Sequence, residues 1–157
     1  MSELKVIAVA TELVEKVRET RVSPGYGHPV SVQVATRHGP CRHCLEPFVV
    51  GEERRILFTL NSFDGMELVP QPGPVFVHER NCERYAEDGG YPPGLKELGA
   101  VLDGYDERQM VVRRELVTDG TQEIALRAIF ADDAVRYVMV RDAQAGCYDF
   151  RVERGAR

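Results

Sequence analysis

Residues 41–82 read CRHCLEPFVVGEERRILFTLNSFDGMELVPQPGPVFVHERNC, and this stretch decides how the middle of the chain folds. Side chains that can ligate a metal stand at both of its ends, in Cys41-Arg-His-Cys44 and in His78-Glu-Arg-Asn-Cys82. Between them, residues 54–60 and 74–77 have the composition of β-strands, and the loop joining them is rich in turn residues. The stretch therefore predicts a tight knuckle followed by a hairpin that brings its two ends together.

The four ligand-type residues have the number and softness of a closed zinc site. Cys41 and Cys44, three residues apart, can hold one ion from a knuckle, while His78 and Cys82 lie four apart and would share one face of a helix. A short helix is predicted over residues 81–87. Three thiolates and an imidazole are typical ligands of structural zinc. The order of knuckle, hairpin and helix resembles a treble-clef zinc finger.

Other interpretations of these residues remain open at this point. The cysteines can be small buried thiols, with His78 a hydrogen-bonded residue at the end of a strand. If one ligand were absent, zinc would keep an open position and could activate water, with Glu79 as the nearest general base. Cys41-Arg-His-Cys44 can also be a dithiol redox motif, although Pro47 argues against the long helix that such motifs precede.

The sequence before the knuckle predicts one helix and one strand. Thr11 is a candidate N-cap, and Leu13, Val14 and Val17 recur at helical spacing, which favours a helix to about Arg18 over an opening strand at residues 6–9. Apolar and polar residues alternate over residues 30–35, which is the period of a half-buried strand.

The sequence after the second ligand pair predicts two strand regions separated by a helix. A loop through Asp103-Gly104 leads to a strand over residues 110–117. Thr121 is a candidate N-cap of the following helix, and its predicted apolar face consists of Ile124, Ala125, Ala128 and Ile129.

The chain closes with a predicted hairpin. Residues 137–140 and 148–152 form its strands, and they flank the loop Asp-Ala-Gln-Ala-Gly, in which Gly146 suits a bulge. Together these patterns predict an α+β fold, with a mainly antiparallel sheet, two to four short helices and a single domain over residues 1–157.

Composition excludes several classes of protein. The chain has 157 residues, with 20 Lys+Arg against 25 Asp+Glu and a formal charge of −5. This acidic balance argues against a nucleic-acid partner. The apolar runs are too short to span a membrane, and the first residues do not resemble a secretion signal. We therefore expect a cytoplasmic protein with free thiols and no membrane partner, and the oligomeric state leaves no trace in the sequence.

Several blocks in a fixed order resemble the bacterial family known only as domain of unknown function 1203. The blocks are Cys41-Arg-His-Cys-Leu45 with Gly51-Glu52, Gly73-Pro-Val-Phe-Val-His78, Gly104-Tyr-Asp106, and Val140-Arg-Asp-Ala143 with Gly146-Cys-Tyr-Asp-Phe-Arg-Val-Glu-Arg154. The resemblance covers nearly the whole chain. It implies a small, soluble, single-domain bacterial protein and supplies no activity.

The positions of these blocks suggest a pocket as well as a metal site. Cys147 stands apart from the other cysteines, and a structural role is its ordinary interpretation, although its place beside a glycine-containing loop also suits a pocket. The predicted pocket residues are Arg42, Glu79, Arg141, Cys147 and Tyr148.

Three functions remain open from the sequence. The first is a zinc-stabilised domain that binds a small molecule or a protein and has Cys41, Cys44, His78 and Cys82 as ligands. The second is a hydrolase that depends on zinc or on a cysteine. The third is a metal-free domain whose cysteines belong to the core.

Overall fold

The computed structural model describes residues 4–155, which form two compact units. Within the described range, residues 4–8 and 85–155 make up one unit, and Val9–Arg84 makes up the other. Over the described part of the chain, no helix has the length and apolar character needed to cross a membrane. The single domain over residues 1–157 stays a prediction. The elements follow in the order β1 (Leu4–Ile7), α1 (Thr11–Thr20), β2 (Ser31–Val34), β3 (Arg54–Asn61), β4 (Pro72–His78), a 3-10 helix (Pro93–Leu95), β5 (Ala100–Tyr105), β6 (Val111–Val117), α2 (Gln122–Phe130), β7 (Tyr137–Asp142) and β8 (Tyr148–Arg154).

The α+β class with antiparallel sheets is confirmed. The unit of residues 9–84 holds a three-stranded sheet in the order β2-β3-β4. The other unit holds a five-stranded sheet in the order β1-β8-β7-β5-β6. Every strand pair in both sheets is antiparallel.

Helix α1 is confirmed, but the choice of a helix over an opening strand was wrong, because β1 also forms and pairs with β8. The start of the helix needs a correction too. Val14 and Val17 are fully buried, as their helical spacing predicts. The N-cap residue is Ala10 instead of Thr11, so the Thr11 side chain is free to bond elsewhere. The helix ends at Thr20, and its C-cap residue Arg21 adopts a left-handed conformation (φ 57°) and donates its N–H to the carbonyl of Val17.

The hairpin of β3 and β4 is confirmed, and its register determines where the second ligand pair begins. Ile56 faces Val77 and Phe58 faces Val75, and all four side chains are buried. Arg55 faces His78, so His78 is the last residue of the paired strand. The buried face of this sheet thus holds the start of the second ligand pair in a fixed position.

The closing hairpin is also confirmed. β7 pairs with β8 across the loop that precedes Tyr148, and the register shifts between Val140 and Arg141. Gly146 adopts a φ of +75°, which explains the glycine in this loop. Alternate residues of the two strands, Val138, Val140, Phe150 and Val152, are fully buried and form the centre of the core of this unit.

Strand β5 is absent from the sequence prediction, which read Asp103-Gly104 as part of a loop. Asp103 lies in the middle of β5 and is 1% exposed, because Arg114 on β6 pairs with its carboxylate. A Cβ at Gly104 would lie 3.0 Å from Cγ2 of Ile129, so this glycine permits the close approach of α2 to the sheet.

One helix prediction was wrong, and the helix predicted after Thr121 is confirmed as α2 with a different buried face. Residues 81–86 adopt no regular structure, because the segment has no repeating apolar face and is held instead by contacts of Cys82 and Arg84. In α2 the buried residues are Gln122, Leu126, Ile129 and Phe130, so the predicted apolar face is rotated and Ile124 is exposed. The amide of Gln122 donates to the carbonyls of Lys96 and Leu98, which accounts for a polar residue on the buried side.

Candidate metal centre

The knuckle of Cys41 and Cys44 is a tight turn closed by backbone hydrogen bonds. The N–H of Leu45 donates to the carbonyl of Cys41 at 2.8 Å, and the N–H of Cys41 donates to Glu46 at 3.0 Å. Leu45 has a φ of +57°, a left-handed conformation that glycine adopts at lower cost. Leu45 is 1% exposed, so its buried side chain offsets part of that cost. The turn places the sulfurs of Cys41 and Cys44 where both can bind the same ion.

The second pair comes from the end of β4 and the irregular segment after it. His78 is fixed by its place in the β-ladder, and its ring packs edge-on against Phe48 with centroids 4.8 Å apart. Cys82 follows four residues later, outside any helix. The predicted helical placement of this pair was therefore wrong, whereas the predicted convergence of the two pairs is correct.

The four candidate ligand atoms form one cluster. All of them lie within 4.8 Å of one another. The sulfurs of Cys41 and Cys82 are 3.9 Å apart, and the sulfur of Cys44 is 3.4 Å from Nδ1 of His78. In a tetrahedral site with zinc–sulfur bonds of about 2.3 Å and zinc–nitrogen bonds of about 2.0 Å, the edges are about 3.5–3.8 Å. The donor set and its spacing therefore fit a zinc ion.

Glu53 holds the other side of the His78 ring. Its Oε2 lies 2.8 Å from Nε2 of His78, and Arg80 bonds the same oxygen at 3.0 Å. Its Oε1 accepts the backbone N–H of Val49 at 2.8 Å. A carboxylate bonded to the outer nitrogen of a ligating histidine fixes the tautomer that leaves the inner nitrogen free for a metal.

The pKa values of Glu53 and His78 reflect the contact between their side chains. Burial raises the pKa of Glu53, but the hydrogen bonds from Val49 and Arg80 and the charge of His78 together lower it below its ordinary value. For His78, burial lowers the pKa, while hydrogen bonds to the thiols of Cys41 and Cys82 and the charge of Glu53 raise it to about 9. Glu53 is therefore an anion that is available to polarise the imidazole.

The sulfurs of Cys41 and Cys82 accept hydrogen bonds from groups other than the four ligand side chains. The backbone N–H of His78 donates to the sulfur of Cys41 at 3.3 Å. Arg18 on α1 donates Nη2 to the sulfur of Cys82 at 3.2 Å and Nε to the carbonyl of His78 at 3.1 Å. Donors and a positive charge aimed at sulfur favour the thiolate form, which is the form that binds metal.

His43, inside the knuckle, also supports Cys82. Its Nδ1 lies 3.2 Å from the Cys82 sulfur, and its Nε2 lies 2.9 Å from the hydroxyl of Thr11. In the tautomer with the proton on Nδ1, His43 donates to the sulfur and accepts from Thr11. This chain links the first turn of α1 to the cluster and explains why Thr11 does not cap the helix.

The pKa values of Cys82 and Cys44 are shifted in opposite directions. Hydrogen bonds from Cys41 and Cys44, with those from His43 and His78, lower the pKa of Cys82 in spite of its burial. Hydrogen bonds to Cys41 and Cys82 and burial raise the pKa of Cys44. Three thiolates at this distance repel one another, so a bound cation is what allows all of them to ionise together.

The predicted pocket residues of this unit are occupied by local contacts. Arg42 is buried, and its Nη1 donates to the carbonyl of Pro40 at 2.6 Å. Glu79 accepts from Arg54 at 2.6 Å and from Arg21 at 3.0 Å, so both of its carboxylate oxygens are paired with arginines. These ion pairs lower the pKa of Glu79.

The other predicted pocket residues lie in the unit of the five-stranded sheet. Arg141 lies 3.6 Å from the buried carboxylate of Asp103, and its Nη2 is 3.4 Å from the hydroxyl of Tyr105. Tyr148 is buried, and burial raises its pKa. Cys147 is half-buried at the turn between β7 and β8. A pocket that combines these residues with Arg42 and Glu79 stays a prediction.

Sequence reasoning missed the residues that surround the ligands. Arg18 could have been found from its place on the same helical face as Val14, one turn earlier, and His43 from its place between the two thiols. Glu53 carries no local signal, because its contact with His78 depends on the pairing of β3 with β4. The surrounding residues missed are Thr11, Arg18, His43, Glu53 and Arg80.

Comparison with known proteins adds a family and no activity. A family model described as "Protein of unknown function (DUF1203)" matches residues 39–154. No curated protein and no solved structure matches the chain. The matched segment contains all four candidate ligands and most of the chain.

Proposed function

Because the chain belongs to the DUF1203 family of unknown function, the site itself has to suggest its role, and we propose that Cys41, Cys44, His78 and Cys82 bind one structural zinc ion. The observation that carries this proposal is the convergence of four soft ligand atoms within 4.8 Å. Zinc would supply binding energy that acts as folding energy, because the ligands come together only in the folded chain.

The surrounding residues support a closed, structural site. Arg18 and His43 bond the Cys82 sulfur, and Glu53 bonds the outer nitrogen of His78. Four protein ligands fill a tetrahedral shell and leave no position for a water or substrate. Glu79, the residue that an open site would use as general base, is held by two arginines.

We propose further that the domain acts by binding a small molecule or a protein, with the metal holding its fold. The knuckle, the β3–β4 hairpin and α1 all contribute atoms to the site or to its supporting contacts. Zinc would lock these three pieces together. The cysteines of the protein are free thiols, which fit a reducing compartment, and for this reason we propose a cytoplasmic location.

Metal analysis of serine variants tests the ligand set. Cys41→Ser and Cys82→Ser are expected to retain far less than the roughly one zinc per chain of the parent. Cys147→Ser is the matched control, because Cys147 is half-buried outside the cluster and its loss is expected to leave the metal content unchanged. Equal zinc content in all of the variants would contradict the assignment.

Thiol reactivity separates this proposal from a cysteine-dependent or zinc-dependent hydrolase. Thiolates in a closed site are shielded from alkylation until the metal is removed. In the zinc-loaded protein we expect Cys41, Cys44 and Cys82 to remain unmodified while Cys147 alone is open to reagent, and all four to react after chelation. Rapid alkylation of a cluster cysteine with zinc still bound would favour an open, reactive site.

A further inference from the structure

The outer edge of β6 combines unpaired backbone with exposed apolar side chains. β6 lies at the end of the five-stranded sheet, and β5 is its one neighbour among the described strands. Val112 is 42% exposed and Leu116 is 64% exposed, and they lie two positions on either side of Arg114. An open strand edge is a template for another strand, and proteins usually shorten or cover such an edge.

The sequence of β6 is complementary to itself when it is reversed about its middle residue. β6 spans residues 111–117 and reads VVRRELV, so Arg114 is its centre. Its register with β5 shifts at Val112, which leaves residues 113–117 as the regular part of the strand. In an antiparallel pair of two copies, a two-fold axis beside Arg114 makes Arg113 face Glu115 of the other copy twice. Opposite charges thus meet on both sides of the axis, where Arg114 faces its own copy.

Neighbouring registers lack this complementarity. In an antiparallel ladder, the N–H and C=O groups on the outer side of one β6 strand must face those of the other copy. The two-fold axis therefore lies beside a residue, and a change of register moves it by whole residues. An axis beside Arg113 would place that arginine against its own copy and leave Glu115 against Val111. An axis beside Glu115 would oppose two glutamates.

The charge at the centre of the favoured register is partly neutralised, because Asp103 pairs with Arg114 and also lies 3.6 Å from Arg141. The Nε of Arg114 lies 2.6 Å from Oδ1 of Asp103, and its Nη2 donates to Oδ2 at 3.0 Å. Asp103 is buried on the adjacent strand, so each copy supplies the counter-charge for its own Arg114. The two arginines beside the axis therefore meet as ion pairs, and their mutual repulsion is reduced.

From these observations we propose that β6 pairs with β6 of a second copy of this chain, joining two five-stranded sheets in a symmetric dimer. The occupant of the β6 edge is this same strand, and the charge pair of Arg113 with Glu115 of the other copy fixes its register. The proposal does not depend on metal, because β6 and the ligand cluster belong to different units of the chain.

Charge reversal tests the pairing on the full, zinc-loaded chain. By light scattering at tens of micromolar, the parent is expected to have twice the 17.6 kDa mass of one chain. Glu115→Arg makes residues 113 and 115 both positive, and Arg113→Glu makes both negative, so each variant is expected to have the mass of one chain. The matched control Glu97→Arg changes an exposed glutamate away from β6 and is expected to leave the mass of the parent unchanged.

Mixing the two monomeric variants gives the decisive result. A chain with two arginines at positions 113 and 115 complements a chain with two glutamates there, so an equimolar mixture of Glu115→Arg and Arg113→Glu is expected to regain the doubled mass. Both sites are exposed, and the ion pair of Arg113 with Asp132 that Arg113→Glu removes lies at the surface, so the variants should keep the circular dichroism of the parent and change its melting temperature little. A monomeric parent, a dimeric Glu115→Arg, or a mixture that stays monomeric would overturn the proposal.

Discussion

Oε2 of Glu53 lies 2.8 Å from Nε2 of His78, on the side of the imidazole away from the three thiols. The contact joins the residue immediately before β3 to the candidate ligand at the end of β4. Since Val49 and Arg80 hold the same carboxylate, Glu53 is itself fixed in place. The candidate metal centre therefore includes a carboxylate that would position a ligand without bonding the metal.

Replacing this carboxylate should weaken zinc binding without abolishing it. Glu53→Gln keeps the shape and removes the charge, so we expect metal affinity to fall by about tenfold, the lower end of the range for such supporting residues. Competition with a chelator of known affinity measures the change. Glu79→Gln is the matched control, because Glu79 pairs with Arg21 and Arg54 instead of a ligand. Equal affinities for the two variants would remove Glu53 from the metal centre.

Acid should release the metal, and Glu53 should affect the pH at which this occurs. Protons compete with zinc for the thiolates and for His78, so affinity falls as pH falls. The pKa of Glu53 is lowered, so its contribution is present above its unfolded value of about 4.3 and is lost only as pH falls through the lower folded value. Zinc release from Glu53→Gln, followed with a colorimetric indicator, should have its midpoint at higher pH than release from the parent. Identical midpoints would contradict this role.

Arg18 should couple α1 to the site. Its guanidinium donates to the Cys82 sulfur and to the His78 carbonyl, and hydrogen bonds to charged groups contribute about 1.5–3 kcal/mol. Arg18→Gln should therefore lower the melting temperature of the zinc-loaded protein by several degrees. Lys16→Gln, on the exposed side of the same helix, is the control and should change it little. The account fails on this point if both variants melt together.

At Leu45, we expect replacement by glycine to destabilise the protein less than replacement by alanine. Leu45→Ala should destabilise the protein by about 2–5 kcal/mol, because it empties a buried position. Leu45→Gly removes one more carbon but relieves the φ of +57°, so it should be more stable than Leu45→Ala by roughly 1 kcal/mol. Urea unfolding of the two variants, both zinc-loaded, measures the difference. An alanine variant more stable than the glycine variant would show that the backbone at Leu45 is not left-handed in solution.

The sequence predicted the elements whose pattern is local. Val14 and Val17 indicated α1, and the alternating residues 30–35 indicated β2. The ligand pairs could be recognised because each lies within five residues. In contrast, Asp103 and Gly104 are turn-forming residues that lie in a strand, because Arg114 neutralises the one and Ile129 packs over the other. Such contacts between distant residues leave no local pattern.

The surroundings of the ligands were unpredictable for the same reason. Residues 81–86 have enough helix-forming residues to suggest a helix, but the bonds of Cys82 to Arg18 and His43 hold this segment in an irregular conformation. Tertiary contacts here override local propensity. The identity of the four ligands could be predicted, whereas the residues that orient them depend on the fold.

The central claim is that the chain binds one structural zinc ion, and its most direct test is the metal content of untagged protein purified without chelator. Elemental analysis should find about one zinc per chain, and strong chelation should lower the melting temperature by a large amount. Protein with no bound metal, whose melting temperature is the same before and after chelation, would contradict the claim and return Cys41, Cys44, His78 and Cys82 to the role of core residues.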